Sequence, residues 1–216
     1  MPTSLINVLG NTVTLVTFPA HSGALMSVDW NFSTAVAMSN SIFTGGAQAQ
    51  IWPGADALSG TATYPPLTQK QADPVLAALM QCQGMLNAFQ LGDPLKTSPR
   101  GVIQGTPVVD GSVAVVAGGQ ILFTTGWTAL KSGLLLAGDF LQVGFRLHRV
   151  LDTVSSDVNG KAAINIWPSL REVPVANSPI ITSNPLGLFR LASNKGTFSS
   201  GVDGLTHVSY PFTEYR

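Results

Sequence analysis

The sequence predicts an all-β fold, mainly β with one short helix, and three observations carry that prediction. Twenty-two glycines and fourteen prolines, with abundant Ser, Thr, Asn and Val, cut the chain into short segments separated by turns. Helical periodicity of apolar residues is nearly absent. The one stretch that has it follows Pro65-Pro66 and opens with the chemistry of a helix start.

In the N-terminal part, β-branched, small and aromatic residues between turn formers predict strands over residues 12–17, 25–32, 47–52 and 60–64. Within the second of these, side chains alternate between faces, so Val28, Trp30 and Phe32 are expected in a core and Asp29 and Asn31 outside it. The helix is expected over residues 68–83, bent near Pro74, or else shortened so that Asp73 caps it with Pro74 in the first turn. Thr68 and Gln71 have the spacing of a capping box, Leu76, Leu79 and Met80 form the apolar stripe, and Gly84 is the stop. A strand over 85–91 then closes at Gly92-Asp93-Pro94.

Residues 95–107 are turn-rich and place a domain boundary near Pro99. Beyond it, strands are predicted over 113–116, 121–123, 140–143, 146–154 and 162–167. Asn159-Gly160 sits between the last two, and both residue types tolerate the positive φ of a type I′ hairpin turn. After the proline-rich 168–185 come strands over 188–191 and 206–213, a piece too small to fold alone. The predicted organisation is one β domain from residues 1–98 plus 188–216, with a second β domain, 99–187, inserted into it.

Eleven basic and eleven acidic residues cancel and form no block, which argues against a nucleic-acid or anionic-lipid partner. Charged residues make up only 10% of the chain, against a usual ~25%. So weakly solvated an exterior suits a chain covered by neighbouring subunits. No stretch reaches the ~20 unbroken apolar residues of a spanning helix, and the first ten residues lack the pattern of a secretory signal. The single cysteine, Cys82, fits a reducing cytosol and reads as a small buried hydrophobe.

The inventory for chemistry is thin, and no catalytic, cofactor or metal residue is assigned. His21, His148 and His207 share no metal spacing, and His148 falls in register with Arg146 on what reads as a solvated strand face. Ser22 beside His21 has poor geometry for a nucleophile and base, since adjacent residues of an extended chain point apart. Asp152, Asp157 and Asn159 are hard-cation ligand types, but they fit a hairpin tip better than a calcium loop. Glu172 and Glu214 are candidates for a glycosidase pair only for want of better ones, and exposed loop or strand-end positions explain them better. Gly45-Gly46 and Gly118-Gly119 match no phosphate-cradling motif. Trp30 and Trp52 read as core anchors, while Trp127, in a Gly-rich stretch with Thr124, Thr125 and Gly126, is the tryptophan left for a saccharide.

The order of short motifs resembles one family. Trp30-Asn31-Phe32, Asn40-Ser41-Ile42-Phe43-Thr44-Gly45, Gln50-Ile51-Trp52, Tyr64-Pro65-Pro66-Leu67, one helix and Phe89-Gln90-Leu91-Gly92-Asp93-Pro94 resemble the N-terminal domain of distal tail or related minor tail proteins of long-tailed bacteriophages. Ala137 to Gly144, Leu147-His148-Arg149-Val150, Ile166-Trp167-Pro168 and Gly187-Leu188-Phe189-Arg190-Leu191 continue the resemblance. It implies a viral tail protein of the virion, made in the host bacterial cytoplasm: a non-enzymatic, ring-forming β-sandwich domain with an inserted barrel of oligonucleotide/oligosaccharide-binding (OB) type. The implied assembly is a homo-hexamer between tail tube and baseplate hub. Its implied partners are further copies of itself, the tail tube protein and hub or tail fibre proteins, with DNA only passing through the lumen. The alternative is a carbohydrate- or receptor-binding module that recognises host surface polysaccharide. No membrane partner and no cofactor are implied.

Overall fold

The computed structural model describes residues 3–8, 10–19 and 27–216. Its strands are β1 (Thr3–Val8), β2 (Asn11–Val16), β3 (Ser27–Ser33), β4 (Val36–Asn40), β5 (Ala47–Ile51), β6 (Ala57–Thr63), β7 (Leu67–Thr68), β8 (Ala88–Leu91), β9 (Gly105–Val109), β10 (Ile121–Trp127), β11 (Phe140–Val143), β12 (Arg146–Val150), β13 (Ala162–Trp167), β14 (Ile180–Ile181), β15 (Gly187–Leu191), β16 (Phe198–Ser200) and β17 (Leu205–Glu214). A single helix, α1 (Gln69–Gln81), lies among the described residues, and no helix is long and apolar enough to cross a membrane. The protein is all-β in class, as its turn-rich composition predicts.

Nine strands form the first sheet in the order β1-β2-β8-β15-β17-β6-β3, with β7 and β16 added along the N-terminal half of β17. β17 is its organiser. Its alternation is strict: Thr206, Val208, Tyr210 and Phe212 are buried, while His207, Ser209 and Pro211 face outward. The core beneath is aromatic, with Trp30 edge-on to Phe212 at 5.3 Å and Phe189 edge-on to Phe212 at 5.1 Å, arrangements that favour the positive ring edge over the negative face. Phe32, expected inside with Trp30, is instead exposed. Its backbone still pairs with Leu58 on β6, and its ring stands edge-on to Trp167 at 5.9 Å.

α1 begins as predicted, with the Thr68 N–H and hydroxyl both donating to Gln71 Oε1, at 3.1 and 2.9 Å. It runs through Pro74. Its buried face is not the expected leucine stripe but Ala72, Val75 and Ala78, with Met80 exposed and Leu76 and Leu79 half-buried. Small residues let the helix lie close on the sheet, where longer side chains would hold it away. Cys82 is fully buried beyond it, and burial pushes its thiol up to about 12. Gln83 and Gly84 both take positive φ there, so β8 starts later than the predicted strand.

The second sheet, β14-β11-β12-β13-β10-β9, curls into a nearly closed barrel. Val109 N–H donates to Ser178 O and Asn177 N–H to Val109 O, both at 3.0 Å, which ties β9 to the segment entering β14. The predicted strand over 113–116 is a loop. β10 already has β9 and β13 on its two edges, and Asp110 captures both the N–H and the hydroxyl of Ser112, reversing the chain before that run. Gly105–Val109, broken by Pro107, takes the strand position instead. At Asn159-Gly160 only Gly160 has positive φ. The turn closes on Asp157, whose Oδ1 accepts the N–H groups of Asn159 and Lys161 at 2.8 Å, so a wider turn replaces the two-residue type I′ loop.

The two sheets share packing. Phe140 and Leu147 of the barrel are buried in the same cluster as Phe89, Phe189 and Phe212, with Trp167 against it. Where the chain enters the barrel, buried Asp139 accepts from the N–H groups of Leu136, Arg100 and Gly101 and from the Arg100 guanidinium. Burial alone would raise its carboxyl, but these donors together hold it below the usual range.

Candidate assembly interface

β4 and β5 form a separate hairpin, joined to neither large sheet. All ten of its strand residues are exposed. Val36 pairs with Ile51, Met38 with Ala49 and Asn40 with Ala47, while Ala37 pairs with Gln50 and Ser39 with Gln48. Paired residues share a face, so one face of this arm is Val36, Met38, Ala47, Ala49 and Ile51 with Asn40 as its one polar member, and the other is Ala37, Ser39, Gln48 and Gln50. At the tip, Ser41 N–H donates to Gly46 O at 2.9 Å and Gly45 N–H to Ser41 O at 3.0 Å. That turn presents Ile42 and Phe43, which are 95% and 97% exposed.

The root of the arm is built very differently. Arg171 grips Glu214 in bidentate fashion, Nε to Oε1 at 3.2 Å and Nη2 to Oε2 at 2.8 Å, and its third nitrogen donates to Gly54 O. Gly54 N–H donates to Ser169 Oγ at 3.1 Å, the Ser169 hydroxyl to Asp56 Oδ2 at 2.9 Å, and Arg216 to the carbonyls of Ala55 and Asp56. On the other side, Gly118 lies so close that a Cβ there would stand 2.6 Å from Pro53 Cβ. Barrel and chain terminus together therefore fix the direction in which the hairpin leaves the body.

The same ionic cluster corrects two sequence expectations. Glu214 is buried, not exposed, with Arg146 Nη1 3.7 Å from Oε1, while half-exposed Glu172 stands 3.6 Å from Arg146 Nε. His148 and Arg146 do share a face of β12, as their spacing requires, but loop and C-terminal segment cover that face and both are buried. His148 Nδ1 lies 2.8 Å from the Pro168 carbonyl, which can only accept, so Nδ1 carries the proton and Nε2 is a bare acceptor. Desolvation first, then the Arg146 and Arg171 charges, lower its pKa to about 4, against the opposing pull of Pro168 O and Glu214. A cleft of about 240 Å³ passes Arg146, His148, Arg171 and Glu172. The Glu214 oxygens are taken up by guanidinium and His148 Nε2 does not reach solvent, so their geometry is that of a structural joint.

The remaining candidates are dispersed. His21 and Ser22 lie outside the described residues. His207 is exposed on β17. Asp152 accepts from Asn165 Nδ2 at 2.6 Å and Asp157 is spent on its turn. No three His, Cys, Asp or Glu side chains converge as a metal would require among the described residues. Trp127, the tryptophan left for a saccharide, is buried in the barrel core with Nε1 donating to Thr124 Oγ1 at 2.8 Å. Trp30 packs in the first core, whereas Trp52, expected there too, is 52% exposed at the arm.

Among the described residues, both ends of the nine-stranded sheet are open. β1 is the edge at one end and carries no charge and no proline; β3 at the other carries only Asp29. Edges that stay in solvent are usually blunted by such residues. Sequence reasoning placed the arm's second strand within residues 47–52, where Ala47, Gln48, Ala49, Gln50 and Ile51 alternate, but missed its first strand and the edge strand β1, along with β7, β9, β14 and β16. No protein-family model matches the chain, and neither does any curated protein.

Proposed function

We propose that this protein is a non-enzymatic structural subunit of a bacteriophage tail tip, of the distal tail type, which closes with copies of itself into a ring. The observation that carries the reading is the nine-stranded sheet, whose edge strands β1 and β3 are both open among the described residues and together carry no proline and a single charge, Asp29, of the kind that discourages pairing. A surface patch at each end of one molecule makes a heterologous contact, and repetition of such a contact closes a ring when the rotation allows. The scarcity of charge, 10% of residues, supports the same reading, since neutral surface is stable when a neighbour covers it. The ordered motifs from Trp30 to Leu191 supply the tail-tip setting, with tail tube protein on one side of a hexameric ring and hub or tail fibre proteins on the other. Of the tryptophans on which the saccharide alternative rests, Trp127 is enclosed and Trp52 is the exposed one.

Negative-stain microscopy of concentrated protein tests the proposal. Closed rings with a central lumen, and their attachment to tail tube ends, are the expected result. A particle that stays single at every concentration and binds no tail tube material would overturn it.

A further inference from the structure

The arm of β4 and β5 is the least explained feature of the molecule as an isolated particle. A two-stranded hairpin has little stability of its own in water, and this one packs neither face on the body. Its composition is nevertheless ordered by face: Val36, Met38, Ala47, Ala49 and Ile51 with a single polar residue, Asn40, on one side, and Ser39, Gln48 and Gln50 with a single alanine, Ala37, on the other. Random exposure does not sort residues this way, but an interface does. The root is rigid, held by Arg171, Ser169 and Arg216, so the sorted face is aimed in a fixed direction.

We propose that the apolar face of this arm, with Ile42 and Phe43 at its tip, docks on a second copy of the chain; this rests on the self-assembling reading above. Residues 30–55 contain no ionisable side chain at all. A hairpin without one charge has nothing to offer phosphates, anionic headgroups or a charged protein, and it suits a partner as poor in charge as this chain is. The size fits as well. Val36, Met38, Ile42, Phe43, Ile51 and Trp52 together expose on the order of 800 Å², about what one side of a stable interface contributes.

The test compares two pairs of substitutions that add the same charge to opposite faces of one hairpin. Met38→Asp with Phe43→Asp charges the docking side, and Gln48→Asp with Gln50→Asp charges the polar side. All four side chains are exposed in the isolated chain, so the thermal midpoint of each variant is expected to match the wild type. Light scattering across a concentration series reads association. The inference expects the first pair to raise the dissociation constant at least about tenfold and the second to leave it near the wild-type value. Association that survives Met38→Asp with Phe43→Asp overturns the arm contact and leaves ring formation through the sheet edges standing. A wild-type chain that never associates overturns both. Binding of the wild-type arm to neutral phosphatidylcholine vesicles, lost in the first pair, would assign the face to lipid and overturn the inference.

Discussion

Glu214 is the residue on which the molecule turns. Its carboxylate holds Arg171, which holds the arm root, and it stands beside Arg146, whose guanidinium donates to the Tyr215 carbonyl. Such a cluster is costly to desolvate and gains back in direction what it loses in net energy, because each guanidinium fork accepts only one geometry. His148 sits inside it as a neutral ring, and that sets a pH dependence. In the unfolded chain the imidazole gains its proton near the ordinary 6.5, whereas in the folded protein it does so only near about 4. Between those values the unfolded state binds more protons, so stability is full above about pH 6.5 and falls as pH drops toward 4. Urea midpoints should show a loss of about 2 kcal/mol between about pH 7 and about pH 5, a range in which ordinary carboxylates stay ionised. His148→Gln keeps a donor for Pro168 O and removes the titration, so its stability should be nearly flat over that range. An unchanged slope in this variant would place the titrating group elsewhere.

The pairing of β3 with β6 supports the arm, and it depends on one residue without a side chain. A Cβ on Gly60 would collide with the Asp29 carbonyl oxygen and stand 2.9 Å from the Phe212 ring. β3 lies against β6 there, with Trp30 opposite Gly60, so nothing can yield without parting the strands. Gly60→Ala should cost about 2 kcal/mol or more, seen as a lowered thermal midpoint, and should make the hairpin root cleavable by protease at concentrations that spare the wild type. These elements differ in how legible they were from sequence. β17 and β13 were plain because strict alternation survives wherever one face is buried and the other wet. The loop over 113–116 misled because Val113, Val115 and Val116 have strand propensity, while the deciding facts, a carboxylate at Asp110 and two occupied edges on β10, are tertiary. Burial in the ionic cluster was illegible for the same reason: Arg146, His148 and Glu214 read as surface residues until the loop from Ser169 to Glu172 covers them.

For the whole molecule the governing fact is a surface with few charges and several apolar features uncovered among the described residues: the arm, the edge of β1, and the exposed Met80 and Phe198. An assembly held by ion pairs weakens as salt screens them, since the screening length falls from about 10 Å at 0.1 M to about 3 Å at 1 M. Contacts made of neutral apolar surface and strand pairing carry no such sensitivity, and excluded salts such as sulfate strengthen them. The weight-average mass in sedimentation equilibrium should therefore be the same within error at about 0.1 M and about 1 M NaCl, and should rise when sulfate replaces chloride. The control lies within the molecule itself: Arg171 with Glu214 is shielded from solvent, so the fold and the arm's direction persist across the same range and any change in mass reports the contacts between copies. A fall to single chains in high salt would mean that the few exposed charges join the subunits, and the neutral coat would then need another explanation.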